Sequence, residues 1–198
     1  MNHILSDKLI GIMVTHGIIE PDKAELYAFG LHDIIMILLT MIPVISISYL
    51  ISATWVAILY VAFFFPLRIY GGGAHASTEG RCYIASILQI LAAVLLIKYL
   101  PWSYQLGIPL LAIALIIIIL MAPSEHKNRP LSAAEFKAYK KRLRIFLIAE
   151  VAIIVICLAL KAYTIAITAL MAPVSLAISL LVNLGMTRLA PKCRSTEV

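Results

Sequence analysis

Charge is scarce in this sequence. Asp, Glu, Lys and Arg make up 13% of its 198 residues, about half the roughly 25% of an ordinary soluble domain. A soluble fold of this size could not hide the 63% of residues that are hydrophobic, so lipid is the expected solvent. Acidic residues are the scarcer kind: ten Asp and Glu against sixteen Lys and Arg leave a net charge of +6. Cysteine is nearly absent. Three residues, Cys82, Cys157 and Cys193, are too few and too odd in number for a disulfide framework. The first 20 residues carry Asp7, Lys8, His16 and Glu20 and no long apolar core, so no cleavable signal peptide is expected. Internal repeats are missing as well. The word LMAP occurs at 120–123 and 170–173 without any further match around it, and the inverted halves of many secondary transporters are not legible.

What is present is a series of long apolar runs, with a mean hydropathy of +1.01 over the chain. Runs of 17 to 25 residues are long enough to cross a bilayer as helices. Six fall at roughly 26–49, 52–67, 82–100, 105–123, 144–161 and 163–186. The second is short for a span and is expected to tilt, kink or insert only in part. The last two are joined by little more than KAY at 161–163, which predicts a tight helical hairpin. Residues 1–20 place Leu5, Leu9, Ile12 and Met13 near one helical face, the pattern of an interfacial amphipathic helix. The expected fold is an all-α integral membrane protein, one membrane-embedded domain over 1–198.

Orientation follows from the basic residues. With six spans both termini share a side. Of the sixteen Lys and Arg, only Lys98 and Lys161 fall on the other side, leaving fourteen on the side of the termini. That side is therefore read as cytoplasmic. It also takes in the polar stretch 68–82 and a basic loop at 124–144, the second half of which should be helical from about Ser132. Positive-inside bias accounts for the net charge without nucleic acid as a partner. The run KAYKKRLR at 137–144 also suits an acidic peptide or anionic headgroups.

The polar stretch at 68–82 reads RIYGGGAHASTEGRC. It places a histidine, a glutamate and a cysteine within eight residues, beside three consecutive glycines. A cysteine attacks as thiolate, and a nearby imidazole can take its proton and return it to a leaving amine. His75 and Cys82 are the candidate pair. On a continuous helix, positions seven apart share a face but lie about 10.5 Å apart along the axis, too far for a direct hydrogen bond. His75 can serve Cys82 only if the backbone breaks. Gly71, Gly72, Gly73 and Gly80 permit this. A broken or re-entrant connection ending at Cys82, which opens the third span, is the expectation. A continuous helix would instead line up His75, Glu79 and Cys82 on one face, a spacing zinc could accept. A polar turn without chemistry is the plain alternative. Asp33 and Glu150 are carboxylates inside apolar spans, costly places that point to function. With Asn183 they could line the path of a small transporter, and a scaffold without chemistry also fits the composition.

Arg68, Gly73, Ala74, His75, Ala76 and Cys82, with Arg68 seven residues before His75 and Cys82 seven after it, resemble the motif of the accessory gene regulator B (AgrB) family. The likeness extends over most of the chain: its length, its amphipathic start, and the stretch APSEHKNRPLS at 122–132. The resemblance implies a membrane cysteine endopeptidase of a Gram-positive cell membrane, acting in quorum sensing. Such an enzyme cuts a short pro-peptide at the cytoplasmic face, between its signal portion and an acidic C-terminal tail. His75 and Cys82 would be catalytic, with Arg68 and Gly73 supporting site geometry or substrate. Glu79 is the nearest carboxylate to orient His75. The thioester formed on Cys82 would be captured by a cysteine or serine of the peptide, releasing a thiolactone or lactone. The resemblance also implies a homodimer, and the chemistry calls for neither cofactor nor metal.

Overall fold

The computed structural model describes residues 4–74, 78–124 and 132–189. Among the described residues the secondary structure is wholly helical. The order is α1 (Ile4–Thr15), a 3-10 turn at Pro21–Lys23, α2 (Ala24–Leu50), α3 (Thr54–Gly71), α4 (Glu79–Tyr99), α5 (Tyr104–Met121), α6 (Ala133–Ala159) and α7 (Tyr163–Leu189). Each of the six expected apolar runs is a helix. Four segments are long and apolar enough to cross a membrane: Gly30–Leu50, Thr54–Gly71, Gly80–Tyr99 and Tyr163–Met186. Gln105–Met121 is apolar but shorter. Pro43, Pro66, Pro109 and Pro173 sit inside helices, as proline does in membrane bundles where neighbouring helices re-satisfy the freed carbonyls.

The bundle is arranged around α7. In α7, 72% of the span Tyr163–Met186 is buried, against 18–28% in the other three spans. It packs on α3, α4, α5 and α6, and its Ala169, Ala172, Leu176 and Leu180 are in the core. Alanines at that spacing let backbones approach where no hydrophobic effect separates helix from lipid. The outer helices turn large apolar side chains outward. Leu38 is 60% exposed, Leu120 78% and Ile148 71%, a surface made for acyl chains.

The second apolar run differs from its expected extent. Expected to end near 67, it forms an 18-residue helix that continues through Pro66 to Gly71 and carries Arg68 in its last turn. α1 also turns a different face inward. Ser6 and Ile10 are buried against the bundle, while Leu9 and Ile12, on the face that the pattern singled out, are 41% and 49% exposed, open to an interface. The basic loop divides at Ser132. Residues 125–131 lie outside the description, and 133–144 form the first turns of α6.

Ser132 starts α6 with a capping box. Its hydroxyl accepts from the Glu135 backbone N–H at 3.3 Å, and the Ser132 N–H donates to Glu135 Oε2 at 2.9 Å. Removing such a cap costs about 1 kcal/mol. Ser132→Ala should therefore speed amide exchange over Ala133–Phe136 by roughly fivefold, measured by hydrogen–deuterium exchange.

The two ends of the bundle differ. At one, the α2–α3 turn, the α4–α5 turn and the α6–α7 turn carry the two isolated lysines. Lys98 Nζ donates to the Ile51 carbonyl, and Lys161 occupies a positive-φ turn position at +59°. At the other, the end of α3, the start of α4, the end of α5 and the last turns of α7 converge. The charge asymmetry in the sequence maps onto this division.

Candidate functional site

α3 stops at Gly71 because the next two residues take backbone angles closed to L side chains. Gly72 has φ +72° and Gly73 φ +130°. Gly71 is the last helical residue, packed so closely that a Cβ would lie 2.7 Å from Leu176. Gly80, expected to share in the break, is instead in the first turn of α4 with open space around it. The break is thus made by Gly72 and Gly73 alone.

Arg68 folds back over this break. Its Nη1 donates to the Gly72 carbonyl at 2.9 Å and to Ser179 Oγ at 2.5 Å. Its Nη2 donates to the Ala74 carbonyl at 2.5 Å. The Ala74 N–H in turn donates to both the carbonyl and the hydroxyl of Ser179, each at 3.1 Å. A second contact holds the opposite side. Ser124 donates its N–H to the Gly71 carbonyl at 3.0 Å, and Asn183 Nδ2 donates to Ser124 Oγ at 2.7 Å. Residues 71–74 are therefore tied to α7 directly and, through Ser124, a second time.

Cys82 lies in the first turn of α4, its N–H bonded to the Thr78 carbonyl at 3.0 Å. Thr78 is extended and caps the helix, accepting from the Arg81 N–H at 3.4 Å. The helix consequently opens at Glu79, three residues before the expected start at Cys82. The Cys82 thiol is free and partly exposed, within electrostatic range of the Arg68 guanidinium. An apolar recess of about 170 Å³, lined by Met36, Leu39, Gly80 and Tyr83, flanks the same turn.

His75, Ala76 and Ser77, and the side chains of Glu79 and Asp33, lie outside the described residues. What surrounds His75 is nonetheless instructive. The chain before it is non-helical from Gly72, and Thr78 after it is extended. Thr78 is extended and interrupts a continuous helix from 75 to 82; the zinc reading otherwise turns on His75 and the Glu79 side chain, which lie outside the described residues. Among the described residues no three His, Cys, Asp or Glu side chains group together.

Glu150 is buried in α6, 4% exposed, and neither carboxylate oxygen has a hydrogen-bond partner among the described residues. It is electrostatically close to Tyr60, which lies eight residues, or about 12 Å along α3, deeper than Arg68. Asn183 is engaged with Ser124 at the site.

Sequence reasoning missed Ser124 and Ser179. The signal for the second was available: Ser175, Ser179 and Asn183 recur every four residues on an otherwise apolar helix, a polar stripe on one face.

At the same end, α3 meets the basic start of α6. The Tyr70 ring stacks on Phe146 and meets Tyr139 edge-on, each at 5.5 Å between centroids. The Arg142 guanidinium lies over Tyr70 at 5.6 Å. Lys137, Lys141 and Arg144 are exposed on the same helix.

These features define a class: a polytopic, all-helical protein with apolar spans, in which an arginine-clasped glycine break leads toward a cysteine at the start of a helix. The family within that class follows from sequence comparison. The model of the family "Accessory gene regulator B" matches residues 6–182, and the chain belongs to that family. A putative AgrB-like protein 2 of Clostridium perfringens (strain 13 / Type A) is 25% identical over 149 residues, covering 69% of this chain and 70% of the relative. The accessory gene regulator protein B of Staphylococcus intermedius is 32% identical over 77 residues, covering 39% of this chain and 41% of the relative. No solved structure matches.

Proposed function

We propose that this chain is a membrane cysteine endopeptidase of quorum sensing that matures a short signalling pro-peptide at the cytoplasmic face of a Gram-positive cell membrane. The observation that carries the reading is the break at Gly72–Ala74, clasped by Arg68, which turns the chain out of α3 just before His75 and just ahead of Cys82 in α4. Helices would have kept the two residues apart. The break gives the backbone freedom to bring them together.

In the proposed reaction His75 takes the Cys82 thiol proton. The thiolate attacks the scissile carbonyl, and the tetrahedral intermediate collapses with the C–N bond breaking. His75 returns its proton to the leaving amine of the C-terminal tail. The acyl-enzyme is a thioester. Attack by a cysteine thiol or serine hydroxyl of the bound peptide releases a thiolactone or lactone and regenerates the Cys82 thiol. The recess between α2 and α4 suits an apolar side chain of the acyl portion. The exposed basic turns of α6, adjoining Tyr70 at the same end, suit an acidic tail. A homodimer in the bilayer is part of the same proposal, with neither nucleic acid nor cofactor.

The test is reconstitution in lipid vesicles with a candidate pro-peptide, followed by mass spectrometry. A product lighter by one water than the hydrolysed acyl fragment, together with a hydroxylamine-sensitive enzyme adduct, supports the cyclising thioester route. Cleavage that persists undiminished in Cys82→Ala overturns it.

Arg68→Lys gives a narrower prediction. A lysine carries its charge to one point and cannot hold two carbonyls and a hydroxyl with a planar fork. Cleavage should fall about 10- to 100-fold, read as initial rate per folded enzyme. A wild-type rate in Arg68→Lys would reduce the clasp to a charge effect.

A further inference from the structure

We infer that Ser179 of α7 is a positioning residue for the catalytic pair: by bonding both Arg68 and Ala74 it fixes the backbone immediately ahead of His75. The inference rests on the reading of His75 and Cys82 given above.

The geometry is specific. One hydroxyl, 6% exposed, accepts from the Arg68 guanidinium and the Ala74 N–H, and the carbonyl of the same residue accepts from Ala74 again. Ala74 directly precedes His75 in the chain. The donor and acceptor groups of Ala74 are both occupied: its carbonyl by Arg68, its N–H by Ser179. No neighbouring strand exists to satisfy them, so Ser179 and Arg68 together do what a strand partner would do. A buried hydroxyl without partners is costly, and a core alanine would have served packing on α7 equally well. The hydroxyl is explained by the break.

Position within the bundle strengthens the argument. α7 is the most enclosed of the four spans, so Ser179 is set among the core helices. Ser175 and Asn183, one turn away on either side, bind other segments: Gln89 of α4 donates to the Ser175 carbonyl at 3.4 Å, and Asn183 holds Ser124. α7 thereby gives a common reference to α3, to α4 and to the entry of the basic loop. Cys82 and the segment that leads into His75 thus share α7 as a reference, since Cys82 belongs to α4 and the clasp belongs to α3.

The test uses full-length protein in vesicles with Cys157 and Cys193 replaced by alanine, so that Cys82 is the one thiol. Iodoacetamide alkylation of Cys82 is followed by mass spectrometry in wild type, Ser179→Ala, His75→Ala and the double variant, on protein whose thermal unfolding matches wild type. A histidine held near a thiol promotes the reactive thiolate. Ser179→Ala and His75→Ala should each slow alkylation about tenfold or more, and the double variant should be no slower than His75→Ala alone, because Ser179 acts through His75. Slowing in the double variant equal to the product of the single effects would show a merely structural role. Wild-type alkylation in Ser179→Ala with slow alkylation in His75→Ala would sink the clasp alone. Wild-type alkylation in His75→Ala would sink the catalytic pair and, with it, this inference. Should Ser179→Ala lose stability, Ser179→Thr, which keeps the hydroxyl, takes its place: near wild-type alkylation supports the role, and slowing as severe as in His75→Ala despite intact folding overturns it.

Discussion

Cys82→Ala should abolish pro-peptide cleavage, lowering the rate by at least ~10⁴-fold, while leaving peptide binding intact. The magnitude follows from what the thiol contributes. Without it no acyl-enzyme forms, and the residual rate is that of water attack assisted by binding alone; loss of a nucleophile in well-studied hydrolases costs about 10⁶-fold. Among the described residues no other thiol can substitute. Cys157 sits in the last turns of α6, where its carbonyl accepts from Ala162 at 2.8 Å in the α6–α7 turn, at the opposite end of the bundle. Binding should survive because the exposed cations of α6 and the apolar recess do not involve the sulfur. The measurement is cleavage by mass spectrometry beside peptide cosedimentation with vesicles. Cleavage above a tenth of wild type would sink the mechanism. Loss of binding in step with activity would mean that the substitution had damaged the fold.

The contrast between what could and could not be read from the sequence is physical. Helices α2 to α7 were legible because apolar length in lipid is a local property. The start of α6 was legible for the same reason: Ser132 and Glu135 stand three apart and cap each other. The start of α4 was less so. Thr78 caps it without a reciprocal partner at Arg81, and the polar cluster drew attention to Cys82 three residues on. Gly80 was grouped with the break by composition alone, whereas a glycine can also occupy a helical turn, as it does here. The clasp was illegible for another reason. Arg68 and Ala74 meet Ser179 across more than a hundred residues, and no local pattern states which face of α7 will meet α3. The stripe of Ser175, Ser179 and Asn183 said that α7 had polar partners but not which ones. His75 and Cys82 were legible as chemistry, through residue type and family motif. The need for a backbone break between them was legible as distance.

Gly73→Ala carries the other large expected effect, and it separates the break from the side chains around it. At φ +130° an alanine is strained in any surroundings, costing about 1–3 kcal/mol. Its Cβ would also run into the Arg68 guanidinium and Ser179 Oγ. Three outcomes compete. Arg68 is held by three acceptors and Ser179 is set in the most enclosed helix, so neither yields cheaply. The segment at 72–74 is then the element that gives, loosening its bonds to Arg68 and Ser179 ahead of His75. A displacement of about 1 Å in a catalytic group costs on the order of 10²-fold, so cleavage should fall by at least that factor with the bundle still folded. Gly185→Ala is the matching control. It is a helical glycine on α7 with open space around it, where alanine gains about 0.5–1 kcal/mol of helix stability, and cleavage should stay at the wild-type rate. Cleavage and thermal unfolding measured on both variants decide between explanations. A large loss of activity in Gly73→Ala on a bundle that stays folded, its unfolding temperature lowered by no more than that strain accounts for, locates the effect in the geometry of the break. Equal loss of both would assign Gly73 to folding, and wild-type activity would show that the path from α3 to Cys82 tolerates a different backbone from the one seen here.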